Sequence, residues 1–392
     1  MYKTLRYSRT FGNWFGKMIA VLVVGLVTTF LFFWGDAPAI FPITGLVKKN
    51  FTPFSRFSFP QTMNGGHTAR SGITSAGTNT SSPGWLRHLC PRYQEEEGYT
   101  KLTWQTPTEN TIFFTQTSCR AFLLPREACA VESAAYRNTG RPLLVLFTAP
   151  ALDLTHPLMK VLSGLAGVRL AWLDLDQLFL NSPLSAWHSD RRWMMNEERA
   201  PTFVSDAGRA ELLRVYGGTY LDLDAITLRA LPPVTSRPWM VRVDSDWVTI
   251  AVTGFPKRHP FMQRMVEDMP SFFDATHCCS LGPELVTRNL RPMCAANLTA
   301  AQEGEQCQDI TILPRHLFVP LHFGKELKRL FKDDAGYGAA FFNVSQAYSL
   351  HLFNSLSRRA LIAADGDTIM AETFRRHCPK VFAQVSSTHA FF

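Results

Sequence analysis

The chain has 392 residues, 46% of them apolar, and a formal net charge of +8. Its basic residues are dispersed and form no recognised nucleic-acid motif, so the charge does not point to a nucleic-acid partner. Among its eight cysteines no Cys/His spacing resembles a zinc site.

Met18 to Trp34 is an uncharged apolar run at the short edge of what spans a bilayer, suited to a thin early secretory membrane. Lys3, Arg6, Arg9 and Lys17 precede it and Asp36 follows. This bias predicts a cytosolic tail over residues 1–17, a transmembrane signal anchor over 18–34 and a lumenal remainder, a type II topology. A cleaved signal peptide is the rival reading; the run is long and aromatic for one and lacks a clear small-x-small site before Trp34. Residues 35–108, rich in Ser, Thr, Gly and Pro, read as a solvated stem with at most local order. Sequons at Asn50, Asn79, Asn297 and Asn343 fit a lumenal location.

Residues 109–392 read as one large α/β domain, because apolar strands at Leu143 to Phe147, Val168 to Leu173 and Tyr220 to Leu223 alternate with helical stretches. Sites in such sheets lie at the carboxyl ends of strands. A lumenal domain with these cysteines implies disulfides, with Cys119 to Cys129 and Cys294 to Cys307 as the local pairings and the rest undetermined.

Four Asp-x-Asp spacings occur, at Asp174/Asp176, Asp222/Asp224, Asp244/Asp246 and Asp365/Asp367. Only the second has machinery around it. Ser205 is placed to cap a helix starting at Asp206, which carries Asp206 and Arg209 on one face and runs to about Tyr216. Gly217 and Gly218 tolerate the positive φ of a helix stop, and Tyr220 to Ile226 alternates as a strand with Tyr220, Asp222 and Asp224 on one side. Residues two apart in a strand are about 6.5 Å from each other, so both carboxylates reach one small cation only if the strand bends or ends there. One direct ligand and one acting through water or ribose is the expectation. Oxygen ligands of this kind suit Mg²⁺ or Mn²⁺ bridging a diphosphate. Asp174/Asp176 reads as a helix start, and the other two pairs as loop or cap residues.

The run Ser-Asp-x-x-Arg-x-x-x-Leu-x-x-Tyr-Gly-Gly-x-Tyr-Leu-Asp-x-Asp, ending at Asp224, resembles the donor-site signature of the alpha-1,4-glycosyltransferase family. Further matches follow in order: Thr111-Ile-Phe-Phe-Thr-Gln-Thr-Ser118, Cys129 to Ala135, Leu173 to Phe179 with Ser182 to Trp187, Gly282 to Arg288, and Tyr348 to Asn354. The resemblance implies a GT-A nucleotide-sugar fold and a UDP-sugar donor. It also implies a retaining alpha-1,4 transfer of galactose, or of an N-acetylhexosamine, to the terminal sugar of a glycolipid such as lactosylceramide, or of a protein-linked glycan. On that view Asp222 and Asp224 are catalytic metal ligands, His351 completes the metal shell, and Asp206, Arg209, Gly218 and Tyr220 bind the donor. Gly282, Pro283 and Glu284 form a donor or acceptor loop, and Asn354 is a possible late site residue. The chain departs from the family's His-x-Trp-Asn by carrying Phe353, which removes an indole donor and keeps an aromatic surface.

Mn²⁺ or Mg²⁺ and a Golgi membrane location complete the expectation. Two rivals stay open: a metal-dependent phosphohydrolase using the same carboxylates, and an inactive lumenal sugar-binding protein. Phe323 to Lys332 is a basic amphipathic run that reads either as a helix resting on an anionic membrane or as a core helix with a solvated basic face.

Overall fold

The computed structural model describes residues 83–234, 237–244, 247–294 and 305–390. The expected cytosolic tail, membrane anchor and most of the stem, the sequons at Asn50, Asn79 and Asn297, and Asp246 lie outside the described residues.

In chain order the strands are β1 (Thr100–Lys101), β2 (Ile112–Gln116), β3 (Leu143–Phe147), β4 (Ala151–Leu152), β5 (Val168–Trp172) and β6 (Gly218–Leu221). They continue with β7 (Ala225–Thr227), β8 (Trp239–Arg242), β9 (Val248–Phe255), β10 (Glu305–Cys307), β11 (Ile310–Leu313) and β12 (Ser349–His351). Eight of them form one mixed sheet in the order β10-β11-β8-β9-β6-β2-β3-β5. β5, β3, β2 and β6 run parallel; β9 runs antiparallel to both β6 and β8, and β11 lies parallel to β8. The α/β class expected from the sequence is therefore observed, with a mixed rather than all-parallel sheet.

Every residue of β2 and β3 is buried, which is why Ile-Phe-Phe-Thr-Gln and Leu-Leu-Val-Leu-Phe lack a polar alternate. Phe113, Leu144 and Leu146 pack toward the helices Ala200–Tyr216 and Pro260–Phe272. Ile112, Phe114, Val145 and Phe147 pack on the other face, toward Pro125–Arg137, Ile369–His377 and Pro379–Ser386. That second layer is fastened twice. A disulfide joins Cys129 to Cys378, and the buried Glu132 carboxylate accepts the Lys380 and Val381 amides at 2.9 and 2.8 Å, capping the last helix.

Two expectations change and one open alternative is decided. The stem reaches too far, since Gly84–Leu89 is a helix whose Trp85, Leu86 and Leu89 are buried, with Trp85 stacked on Trp172 and Cys90 bonded to Cys119. Six residues are too few to show a period, so this helix leaves no trace in the pattern. Cys119 consequently does not pair with Cys129, which faces the C-terminal helices, whereas Cys294 and Cys307 pair as expected. Lys325–Phe331 is a short 3₁₀ helix that buries Leu327 and Leu330 and exposes Lys325, Lys328 and Arg329, the core-helix alternative.

The described residues of the remaining Asp-x-Asp pairs fit the structural roles expected of them. Asp174 caps the helix Leu175–Phe179 through the Asp176 and Gln177 amides, Asp244 accepts the Trp247 amide, and Asp367 accepts the Gly336 amide. Asn343 of the fourth sequon is exposed on the helix Tyr337–Val344.

Trp85 tests the revised boundary. Trp85→Ala should cost about 3–5 kcal/mol in chemical denaturation, the cost of emptying a packed aromatic site. An unchanged midpoint would return this segment to the stem.

Candidate active site

The helix carrying Asp206 and Arg209 begins at Ala200, with Pro201 in its first turn, so Ser205 is a mid-helix residue rather than a cap. The Ser205 hydroxyl instead accepts Arg209 Nη2 at 2.9 Å and lies 3.1 Å from Thr115 Oγ1. The helix stops at Tyr216 because Gly217 and Gly218 take φ of 67° and 104°. At Gly218 a Cβ would also stand 2.5 Å from the Thr111 carbonyl oxygen, so the tight passage from helix into β6 requires glycine there. Gly218 thus shapes the backbone, and the cleft is lined by other residues.

β6 pairs with β2 and β9 and ends at Leu221. The chain turns at Asp222 to Asp224, closed by the Ala225 amide on the Asp222 carbonyl at 2.9 Å. It then leaves the main sheet as β7, which pairs with β12 in a register that sets Ala225 opposite His351. The expected continuous strand from Tyr220 to Ile226 is therefore broken, which is the condition for both carboxylates to face one point. His351 Nε2 lies 3.2 Å from Asp224 Oδ1 and 3.8 Å from Asp222 Oδ2, and one ligand atom from each of the three residues falls within 4.8 Å of the others. Although His351 is only 8% exposed, neither ring nitrogen makes a hydrogen bond among the described residues. Two carboxylates and an unsatisfied imidazole fit a small divalent cation.

Each carboxylate has one oxygen held by neighbouring donors and the other turned toward His351. Asp222 Oδ1 accepts Arg209 Nη2 at 2.9 Å and the Tyr220 hydroxyl at 3.0 Å. Asp224 Oδ2 accepts the Asn354 backbone amide at 2.7 Å. Arg209 also reaches Asp206 Oδ1 at 3.4 Å and lies 4.5 Å above the Tyr220 ring, whose hydroxyl is 2.9 Å from Thr115. Asp206 is buried, and burial pushes its carboxyl up to about 6 against the pull of Arg209. Burial opposes charge on His351 too, yet the Asp224 and Asp222 carboxylates raise it to about 10. Burial would raise Asp224, but His351, the Asn354 amide and Arg209 hold it below the ordinary range.

Gly282 lies against this cluster, where a Cβ would sit 3.3 Å from Asp206 Oδ2. Pro283 follows it in the same turn, whereas the Glu284 carboxylate pairs with His277 at 3.0 Å and does not join the carboxylates. Asn354 contributes its backbone amide, and its side-chain oxygen is 3.4 Å from Arg126 Nη1. Phe353, at φ 48°, sets its ring edge to face with His351 at 4.3 Å.

A cleft of about 220 Å³ opens on Asp222 and Asp224 and is lined also by Thr115 to Ser118, Arg120, Glu127 and Asn354. Arg120 and Glu127 form an ion pair, and Arg126 donates to the Ser357 carbonyl and hydroxyl, both at 3.0 Å. Arg120, Arg126 and Glu127 were assigned no role from sequence; the available signal was a Pro-Arg-Glu helix start, whose Glu127 accepts the Leu124 amide at 2.8 Å.

Residues 125–241 match the family model described as the glycosyltransferase sugar-binding region containing the DXD motif, and residues 254–385 match the alpha 1,4-glycosyltransferase conserved region. The chain is 30% identical over 278 residues to lactosylceramide 4-alpha-galactosyltransferase of Rattus norvegicus, covering 68% of this chain and 74% of that one. It belongs to the alpha-1,4-glycosyltransferase family. Alpha-1,4-N-acetylglucosaminyltransferase of Homo sapiens is 28% identical over 285 residues, covering 69% of this chain and 79% of that relative. The protein is thus a glycosyltransferase, with a nucleotide-sugar donor, a glycolipid or glycan acceptor and a divalent metal implied by its family. The first matched region supplies Asp206, Arg209, Asp222 and Asp224, and the second supplies Gly282, His351 and Asn354. The site is made where the two meet.

His351 makes a pH prediction for the metal-free protein. Its folded value near 10 exceeds the ordinary 6.5, so its contribution is fully present below pH 6.5 and is lost as pH rises through 10. Chelated wild type should lose a few kcal/mol relative to His351→Gln across that window in urea titrations. Parallel stability curves for the two proteins would contradict it.

Proposed function

We propose that the protein is a retaining alpha-1,4-glycosyltransferase of GT-A-like fold that moves galactose or an N-acetylhexosamine from a UDP-sugar to the terminal sugar of a glycolipid. One observation carries this reading: the Asp222, Asp224 and His351 ligand atoms converge at the end of a strand beside the Asp206–Arg209 pair. The names of both relatives support the alpha-1,4 linkage, and lactosylceramide in the name of one supports the glycolipid acceptor. The run from Met18 to Trp34 with its basic flank supports a type II anchor in the Golgi membrane.

Asp222, Asp224 and His351 would hold Mn²⁺ or Mg²⁺, which supplies the positive charge that stabilises a departing diphosphate. Arg209 and Tyr220 fix Asp222 by one oxygen, and the Asn354 amide fixes Asp224 by one, so the other two oxygens stay aimed at the metal position. His351 would have to give up its proton to hold the metal, so metal affinity should rise with pH. On this reading Asp206, held by Arg209 and covered by Gly282, would contact the donor sugar, and Arg209 would add charge near the phosphates. In a retaining transfer by front-face attack the acceptor hydroxyl passes its proton to the leaving phosphate, which requires no protein nucleophile.

The test supplies the purified protein and Mn²⁺ with UDP-galactose, UDP-N-acetylglucosamine and UDP-N-acetylgalactosamine. Lactose-ended and N-acetylhexosamine-ended acceptors are each offered. One pair should give an alpha-1,4-linked product, and Asp224→Asn should lower its rate by about a hundredfold. Sugar released equally fast to water without acceptor would favour a phosphohydrolase. No product with any pair, or full activity in Asp224→Asn, would overturn the proposal.

A further inference from the structure

Three disulfides pair six of the eight cysteines and leave Cys278 and Cys279. A chain that keeps the Cys90–Cys119, Cys129–Cys378 and Cys294–Cys307 bonds matures where disulfide oxidants act. The two remaining sulfurs lie 2.8 Å apart, inside the contact distance of non-bonded sulfur. Both sit on the turn that carries Gly282. The Cys279 carbonyl accepts the Gly282 and Glu284 amides at 3.2 and 3.4 Å, and His277 pairs with Glu284 at 3.0 Å across the same turn.

We propose that Cys278 and Cys279 close a vicinal disulfide that fixes the Gly282–Pro283 turn against Asp206. The oxidant is a small or protein disulfide of the compartment. Cys278, exposed, attacks it as the thiolate; one thiol leaves and a mixed disulfide forms at Cys278. Cys279 then attacks the Cys278 sulfur and releases the second thiol, so two cysteine thiols are oxidised and one disulfide is reduced to two thiols. The order follows from the surroundings: burial, then the neighbouring Cys278, Asp206 and Glu284, push the Cys279 thiol up to about 12, which makes it the poorer first nucleophile.

Closure draws the sulfurs from 2.8 Å to about 2.0 Å and restricts the peptide between them. The Cys279 carbonyl, on which Gly282 and Glu284 hang, is bonded directly to that ring through the Cys279 Cα. Because adjacent Cα atoms are only about 3.8 Å apart, closer than in ordinary disulfides, this bond is more reducible than the three others. Donor affinity is thereby tied to the redox state of one surface turn.

The functional half rests on Asp206 as a donor-binding group; the chemical half stands without it. The full chain, purified from a secretory host without reductant, is denatured in iodoacetamide before or after reduction and mapped by mass spectrometry. The peptide holding Cys278 and Cys279 should take no label before reduction and two labels after it. Two labels before reduction, or links from either cysteine to another thiol, would overturn the proposal whatever the enzyme does. A second arm compares wild type with C278S/C279S. The variant should raise the donor KM severalfold with little change in kcat, and mild reductant should raise the wild-type KM to the variant's value while leaving the variant's own KM in place. Equal donor KM in the two unreduced proteins would remove the link between this turn and Asp206.

Discussion

Three carboxylates, Asp206, Asp222 and Asp224, gather around the buried Arg209 and His351, and the arrangement depends on the positive charge placed among them. Burial alone would push Asp206 and Asp224 toward their neutral forms. Arg209, itself buried, lies between Asp206 and Asp222 and over the Tyr220 ring, and His351 approaches Asp224 from the second small sheet. Positions Arg209 and His351 are as much a part of the site as the acids. An incoming divalent cation would take over the part of the compensation that protonated His351 supplies, which couples metal binding to proton release.

The fold delivers these groups by ending a strand early. β6 stops at Leu221, Asp222 to Asp224 turn out of the sheet, and β7 finds a new partner in β12. His351 is then placed by register rather than by proximity in sequence. The segment that follows it is gripped by Arg126, which donates to the Ser357 carbonyl from the helix Pro125–Arg137. That helix is in turn tied to the C-terminal layer by the Cys129–Cys378 bond and the Glu132 cap. A late part of the chain thereby becomes a fixed wall of the site.

Much of this was legible in the sequence, and the failures have physical causes. The Asp222/Asp224 pair could be separated from three identical spacings because a helix with Asp206 and Arg209, two glycines and an acidic strand end occur together. The apolar runs of β3 and β5 announced parallel strands, β3 fully buried and β5 at the edge of the sheet. The start of the helix was misplaced because Ser205 resembles a cap, while Pro201 marks the true first turn. The strand break was invisible, since alternation continues through Asp224 and Ile226 and only β12, more than a hundred residues later, pulls the chain aside. Cys119 was assigned the nearer partner by sequence distance, whereas Cys90 reaches it through a helix too short to show a pattern. Arg126 and Glu127 were missed because their part in the site depends on where the Pro125–Arg137 helix docks.

Pulsed electron paramagnetic resonance of Mn²⁺ added to the purified protein tests the metal centre most directly. One tightly held ion per chain should show coupling to an imidazole nitrogen, and that coupling should vanish in His351→Ala while the ion binds more weakly still in Asp222→Asn and Asp224→Asn. A bound ion without nitrogen coupling, or with affinity indifferent to all three substitutions, would show that Asp222, Asp224 and His351 are not its ligands.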